Sequence, residues 1–236
     1  MKINREIPVR KLRLLIFDLD GTLVDSRQDL GNSVNAMLRH FGRHELPLEV
    51  IGSYIGDGAP MLVRRALGDP KDEHFVHVAL QFFLDYYRKH KLDYTHVYDG
   101  VLEALRALSS TETFPRKMAV LSNKPVGPSR AIVDALGMNP FFFQVYGGNS
   151  FETKKPDPFG ARMLLREANV EPSETVLIGD SDVDVLTAQN AGLYSVGCTY
   201  GLAPHTLEAA PPDVLVDSPY EWTELLVGRK IKAVTK

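Results

Sequence analysis

A doubly wound α/β fold, a parallel sheet carrying a small helical insertion, is the architecture that this 236-residue sequence predicts. Three observations predict it. Several short apolar runs lack the alternation of half-exposed strands, as strands covered on both faces do. Amphipathic segments with helical spacing separate those runs. One stretch of roughly seventy residues shows helical periodicity alone, which marks it as an insertion between strands.

The runs are Leu12–Asp18, Lys117–Asn123, Thr175–Asp180, Tyr194–Tyr200 and Asp213–Val216, with a weaker one beginning at Phe141. Between them, Gly100–Ser110, Gly127–Gly137, Asp157–Val170 and Asp182–Gly192 place apolar residues on one helical face, and two of these segments stop at glycine. From Ser26 to Val97 the rhythm changes, with no convincing strand. Asp29–Gly42, Gly56–Gly68 and Asp72–Lys91 each read as a helix. The expected division is therefore an α/β core over residues 1–24 and 98–236 and an α-helical unit over 25–97. An insertion after the first strand sits at the sheet edge where doubly wound folds bind ligands. Trp222 is expected to pack a C-terminal helix, and the basic tail from Gly228 to Lys236 to fray.

Bulk properties narrow the function. A net charge of −3 and a pI near 6.2 argue against a nucleic-acid binder with a broad basic surface. No apolar stretch reaches membrane-span length. Cys198 is the single cysteine, which fits a reducing compartment, and the N-terminal residues lack the apolar core of a signal peptide. A cytoplasmic location is expected. The seven histidines show no metal-binding spacing.

The informative residues are acids at strand ends. Asp18 and Asp20 close the first run, Asp180 closes Thr175–Asp180, and Asp184 follows one helical turn later. Strand C-termini of a parallel sheet share one edge, so the fold can gather all four. Buried carboxylates repel one another and are costly without a positive partner. A hard divalent cation with oxygen ligands, Mg²⁺, resolves that conflict. The same edge receives Ser122–Lys124 and Lys155, where a hydroxyl, backbone amides and a lysine form an anion nest. A metal beside such a nest suggests a phosphoryl group. Singly, each piece is ordinary: Asp-Gly is a turn, Ser-Asn a cap, a lone lysine a surface residue. Only their joint placement carries weight.

Together, Asp18–Thr22 (DLDGT), Ser122–Asn123 (SN), Lys155–Pro158 (KPDP) and Gly179–Asp184 (GDSDVD) resemble the four motifs of the haloacid dehalogenase superfamily, in order and across nearly the whole chain. The resemblance implies that Asp18 is a nucleophile forming an aspartyl-phosphate. It makes Asp20 the acid that protonates the leaving alcohol and then the base toward water. Asp18, the Asp20 carbonyl and Asp180 would hold Mg²⁺, with Asp184 supporting from nearby. Ser122, the Asn123 amide and Lys155 would hold the phosphoryl oxygens, and the helical insertion would be a cap. Members that cleave carbon–halogen bonds lack the second aspartate, so Asp20 sets dehalogenation aside.

Specificity should then come from the cap. Tyr54–Leu67 resembles the glycine-containing cap segment of bacterial phosphoglycolate phosphatases. Glycines at a helix start expose backbone amides that attract anions. Facing the core, Gly56 and Gly58 would hold the carboxylate of 2-phosphoglycolate, with Arg64 or Arg65 assisting. The alternative is that Asp57 caps this helix and both arginines face water. Phe82–Tyr87 reads as cap core. The expected partner is a small phosphorylated metabolite, with neither nucleic acid nor membrane, for a monomer or homodimer. Pyrophosphate, a nucleotide or a sugar phosphate are rival substrates. A phosphomutase of β-phosphoglucomutase type shares all four motifs. A non-catalytic phosphate-binding module would not need both Asp18 and Asp20.

Overall fold

The computed structural model describes residues 1–110 and 116–228, so all of the basic tail beyond Gly228 lies outside the described residues. The chain opens with β1 (Lys2–Ile3), β2 (Leu14–Phe17) and β3 (Val24–Asp25). Four helices follow, α1 (Arg27–His40), α2 (Leu48–Gly52), α3 (Ala59–Ala66) and α4 (Glu73–His90), and β4 (His96–Val97) returns the chain. The remainder alternates: α5 (Val101–Ser109), β5 (Lys117–Leu121), α6 (Val126–Ala135), β6 (Gln144–Tyr146), α7 (Phe159–Ala168), β7 (Thr175–Gly179), α8 (Asp182–Ala191), β8 (Tyr194–Cys198), β9 (Val214–Val216) and α9 (Tyr220–Val227).

The main sheet runs β1-β9-β8-β7-β2-β5-β6, parallel except for β1 at its edge. β2 lies between β7 and β5, with Phe17 opposite both Ile178 and Val120. From β2 the sheet grows one way through β5 and β6 and the other way through β7, β8 and β9. That reversal of strand order opens a crevice at the carboxyl ends of β2, β5 and β7. Both faces of the sheet are covered, which explains the continuous apolar runs. Leu15, Phe17, Met118, Val120, Val176 and Ile178 pack with α5, α6 and α9 on one face, where the Trp222 ring lies 5.4 Å from Phe17. Leu14, Ile16, Ala119, Leu121 and Leu177 pack with α7 and α8 on the other.

The helices α1–α4 bury an apolar cluster of their own, built around Val34, Met37, Ile51, Val63, Ala79 and Phe83. Two short segments join them to the sheet, and these pair as an antiparallel ribbon, Val24 with Val97 and Asp25 with His96. This ribbon, β1 and α2 are absent from the sequence expectations. Two-residue strands have no readable period, and a five-residue helix after Pro47 is too short to show one.

Asp29 ties the ribbon to α1. Its buried carboxylate accepts hydrogen bonds from the Tyr94 amide (3.0 Å), the Thr95 amide (2.8 Å) and the Thr95 hydroxyl (2.7 Å). Asp29→Ala strands these donors and should lower stability by about 2 kcal/mol or more. Chemical denaturation measures this, and an unchanged unfolding midpoint would show that the returning chain is held by other contacts.

Candidate active site

Every acid singled out in the sequence reaches one crevice. The Asp18 amide continues the β2 ladder by donating to the Ile178 carbonyl at 2.9 Å, which sets its side chain at the sheet edge. Asp180 follows β7, and its Oδ2 accepts from the amides of Leu202 (2.7 Å) and Ala203 (3.1 Å). The backbone around it has no room for side chains. A Cβ on Gly21, whose φ is +87°, would stand 2.1 Å from Asp180 Oδ2. Asp184, in the first turn of α8, accepts from the Ser181 hydroxyl at 2.7 Å and the Ser181 amide at 3.2 Å. Asp18, Asp180 and Asp184 are all buried, and each offers a carboxylate oxygen within 4.8 Å of the others.

Two buried lysines face these acids. Lys155 Nζ lies 2.8 Å from Asp18 Oδ1 and 2.6 Å from Asp184 Oδ1. Lys124 Nζ donates to both oxygens of Asp20, at 2.9 and 3.0 Å, and the Ser26 hydroxyl adds a third bond to Asp20 at 2.6 Å. Burial works against the charged form of either lysine, but the adjacent acids outweigh it and raise both above the ordinary lysine value. The carboxylates remain under-compensated. Burial first, then the charges of Asp184 and Asp18, push Asp180 up to about 8. Asp18, raised mainly by burial and partly held down by Lys155, stands at about 6. Four carboxylates against two ammonium groups leave an excess of two negative charges. Oxygen donors carrying that excess fit a divalent cation.

Ser122 and Asn123, at the end of β5, line the same crevice. The Ser122 oxygen accepts from the Lys124 amide at 3.3 Å, which leaves its proton free to donate. The Asn123 side-chain amide donates to the Gly56 carbonyl (3.1 Å) and the Lys155 carbonyl (3.0 Å), bridging cap and core. Above them is a partly open cavity of about 50 Å³. Its floor includes Asp18, Asp20, Ser122 and Asp180, and its roof Leu30, Ile55, Leu62, Phe83 and Tyr87.

Gly56 and Gly58 line this cavity and face the core. Gly58 sits at φ +84°, and a Cβ there would come within 2.9 Å of the Asn123 carbonyl oxygen. Lys154 Nζ holds the Asp57 carbonyl from the core side. Arg64 is a correction. It turns from the cavity, with Nη2 2.5 Å from Glu73 and Nη1 3.2 Å from the Pro70 carbonyl. The buried stripe Ala59, Leu62, Val63 and Ala66 claims the inner face of α3, and the acid opening α4 captures the outward arginine. Arg65 pairs with Asp57 at 2.5 Å, and Gly58, not Asp57, begins the helix.

Two site residues escaped the sequence reading of roles. Lys124 directly follows Ser122–Asn123, so position was the available signal. Tyr87 reads as core, and its ring is indeed packed, but the residue, 2% exposed, also lines the cavity, and its buried hydroxyl lacks an aligned hydrogen-bond partner. Burial pushes that hydroxyl up to about 12, so it remains a donor.

The sequence profile of haloacid dehalogenase-like hydrolases matches residues 15–198. A phosphoglycolate phosphatase of Pseudomonas putida is 38% identical over 215 residues, covering 87% of this chain and 76% of that protein. Another from Psychrobacter arcticus is 39% identical over 197 residues, covering 80% and 84%. A crystal structure described as a predicted phosphoglycolate phosphatase from Haemophilus somnus superposes with a TM-score of 0.84 at 29% identity, covering 93% of this chain and 99% of that one. Among the described residues no helix is long and apolar enough to cross a membrane.

The raised carboxylates bind more protons folded than unfolded, where an aspartate titrates near 3.9. Without metal, stability should therefore fall as pH rises from about 4 to about 8. A divalent cation competes with those protons, so it should raise the melting temperature more at pH 8 than at pH 5. Thermal unfolding with and without added cation checks this, and Asp180→Asn should abolish most of the cation's effect. A cation shift independent of pH would separate the cluster from metal binding.

Proposed function

Since the chain belongs to the haloacid dehalogenase-like hydrolases and is a phosphatase, we propose that it hydrolyses 2-phosphoglycolate to glycolate and phosphate with Mg²⁺. The observation that carries this is the buried cluster of Asp18, Asp180 and Asp184, paired with Lys155 beneath a small cavity. Residues 25–97 act as the cap and the sheet unit as the catalytic core. Motion about Val24–Asp25 and Tyr98–Gly100 admits substrate.

Asp18 is the nucleophile. Its carboxylate oxygen bonds to phosphorus as the ester oxygen departs, giving an aspartyl-phosphate and the alcohol. Asp20 supplies the proton to that oxygen, then takes one from the water that hydrolyses the aspartyl-phosphate. Lys155, the Ser122 hydroxyl and the Asn123 amide bind the phosphoryl oxygens, whose charge needs positioned donors more than covalent chemistry. Asp18, the Asp20 carbonyl and Asp180, with Asp184 supporting, would hold Mg²⁺, which would supply the charge neutralisation that an anionic nucleophile needs to meet an anionic substrate.

Size favours this substrate over sugar phosphates and nucleotides. A cavity of about 50 Å³ has room for a few water molecules. A glycolate leaving group is of that scale; a hexose or nucleoside would hold the cap open. The Gly56–Gly58 segment, turned to the core, offers its amides to the carboxylate in place of Arg64.

A panel of phosphoglycolate, pyrophosphate, nucleotides and hexose phosphates, assayed with Mg²⁺, should give phosphoglycolate the highest kcat/KM, by roughly tenfold or more. Isomerisation of a sugar phosphate without phosphate release would point to the mutase instead. Asp18→Asn should lose roughly 10³-fold or more in turnover with an unchanged fold. Asp20→Asn should slow both steps and let a phosphoryl adduct persist, seen by intact mass. Normal turnover in the Asp18 variant would dismiss it as the nucleophile.

A further inference from the structure

Resting on the proposed phosphatase reading, we infer that Lys124 and Tyr87 together recognise a second anionic group on the substrate, a carboxylate near the ester oxygen. The enzyme is thereby selective for phosphorylated acids over neutral phosphate esters.

Lys124 is the one cation lining the cavity among the described residues. The other candidates are committed elsewhere: Arg64 to Glu73, Arg65 to Asp57, Lys155 to Asp18 and Asp184. Among the described residues Lys124 itself is paired with Asp20 and lies against Tyr87, with Nζ 4.6 Å from the ring centroid and its charge interacting with the hydroxyl, though without a well-aligned hydrogen bond to it. With two of its three donors on the Asp20 oxygens, the ammonium keeps one for a ligand. An arriving carboxylate can therefore share or replace Asp20 as its ionic partner, keeping the buried lysine paired throughout.

Tyr87 adds a second observation. A buried hydroxyl without a well-made hydrogen bond is costly, yet Tyr87, which lines this cavity, has one. An acceptor on the ligand would satisfy it. Lys124 stands on the core loop after β5 and Tyr87 on α4 of the cap, so one carboxylate would be gripped from both sides only when the cap is closed. The remaining roof, Leu30, Ile55, Leu62 and Phe83, offers no hydrogen bond to sugar hydroxyls.

The test compares matched pairs: 2-phosphoglycolate against 2-hydroxyethyl phosphate, and 3-phosphoglycerate against glycerol 3-phosphate. The quantity read is the acid-to-neutral ratio of kcat/KM within each pair. In the wild type that ratio should be roughly tenfold or more for at least one pair. Lys124→Met should collapse it, mainly by raising KM for the acid, and Lys124→Arg should retain most of it. Tyr87→Phe, which keeps the packed ring, should lower the ratio severalfold and decides the matter if Lys124→Met does not fold. A wild-type ratio near one in both pairs overturns the inference. So does a Lys124→Met variant, or failing that a Tyr87→Phe variant, that slows acid and neutral substrates equally, the mark of a residue that only positions Asp20. Preference confined to the glycerate pair and lost in Lys124→Met would displace phosphoglycolate as substrate while keeping Lys124 in its role.

Discussion

An uncompensated negative charge, buried at the carboxyl edge of the sheet, is the constraint around which this molecule is organised. Asp18, Asp20, Asp180 and Asp184 converge there against only Lys124 and Lys155. Carboxylates so desolvated would take up protons before they would remain ionised together, as the raised values of Asp18 and Asp180 express. Such a site is poised rather than stable. A divalent cation would relieve it, and the same cation would make it receptive to a phosphoryl group. The attraction for substrate therefore arises from the folding problem that the acids create.

Much of the surrounding architecture keeps that cluster in place. Strand β2 can hold Asp18 at the edge because its own four residues are fully buried between two neighbouring strands. Asp180 is fixed by two amides from the loop after β8, so the distant half of the sheet orients an acid beside β2. Gly21, Gly179 and Gly201 crowd Asp180 and Asp184 so closely that a methyl group at any of them would collide with a carboxylate side chain. These glycines are read more naturally as clearance around the acids than as flexible turns.

The core was legible in the sequence because Asp18 and Asp180 end apolar runs, with Asp20 and Asp184 following closely, and a parallel sheet brings such ends together. The matched profile and the relatives agree with the family resemblance carried by those runs. The cap was legible as helices but not as a surface. Helical spacing places Arg64 on α3 without saying which neighbour claims it, and Glu73 lies on a different helix. Tyr87 illustrates the same limit. Its spacing correctly marks a packed ring, while the hydroxyl at the ring's far end acquires meaning only once α4 is laid over the β5 loop. Two-residue strands such as β3 and β4 are set by their pairing with each other, which no local pattern records.

The contact between cap and core then bears on how discrimination is achieved. Gly56, Asp57 and Gly58 meet the core through backbone: Asn123 and Lys154 bind their carbonyls, and Gly58 leaves no space for a side chain against Asn123. Such a seam is tight, and what it can offer a ligand is backbone amides. Among the described residues, the side chains lining the cavity that could tell one leaving group from another are the apolar roof, Tyr87 and Lys124. An apolar roof rejects hydroxyl-rich groups because their desolvation goes unrepaid, and the buried charge below it disfavours a further anion unless a cation receives it. On the proposed mechanism Lys124 would receive it, beside the Asp20 that meets the ester oxygen. Substrate selection and the positioning of Asp20 would then share one lysine, and the site would favour small phosphorylated acids without an arginine in the cap.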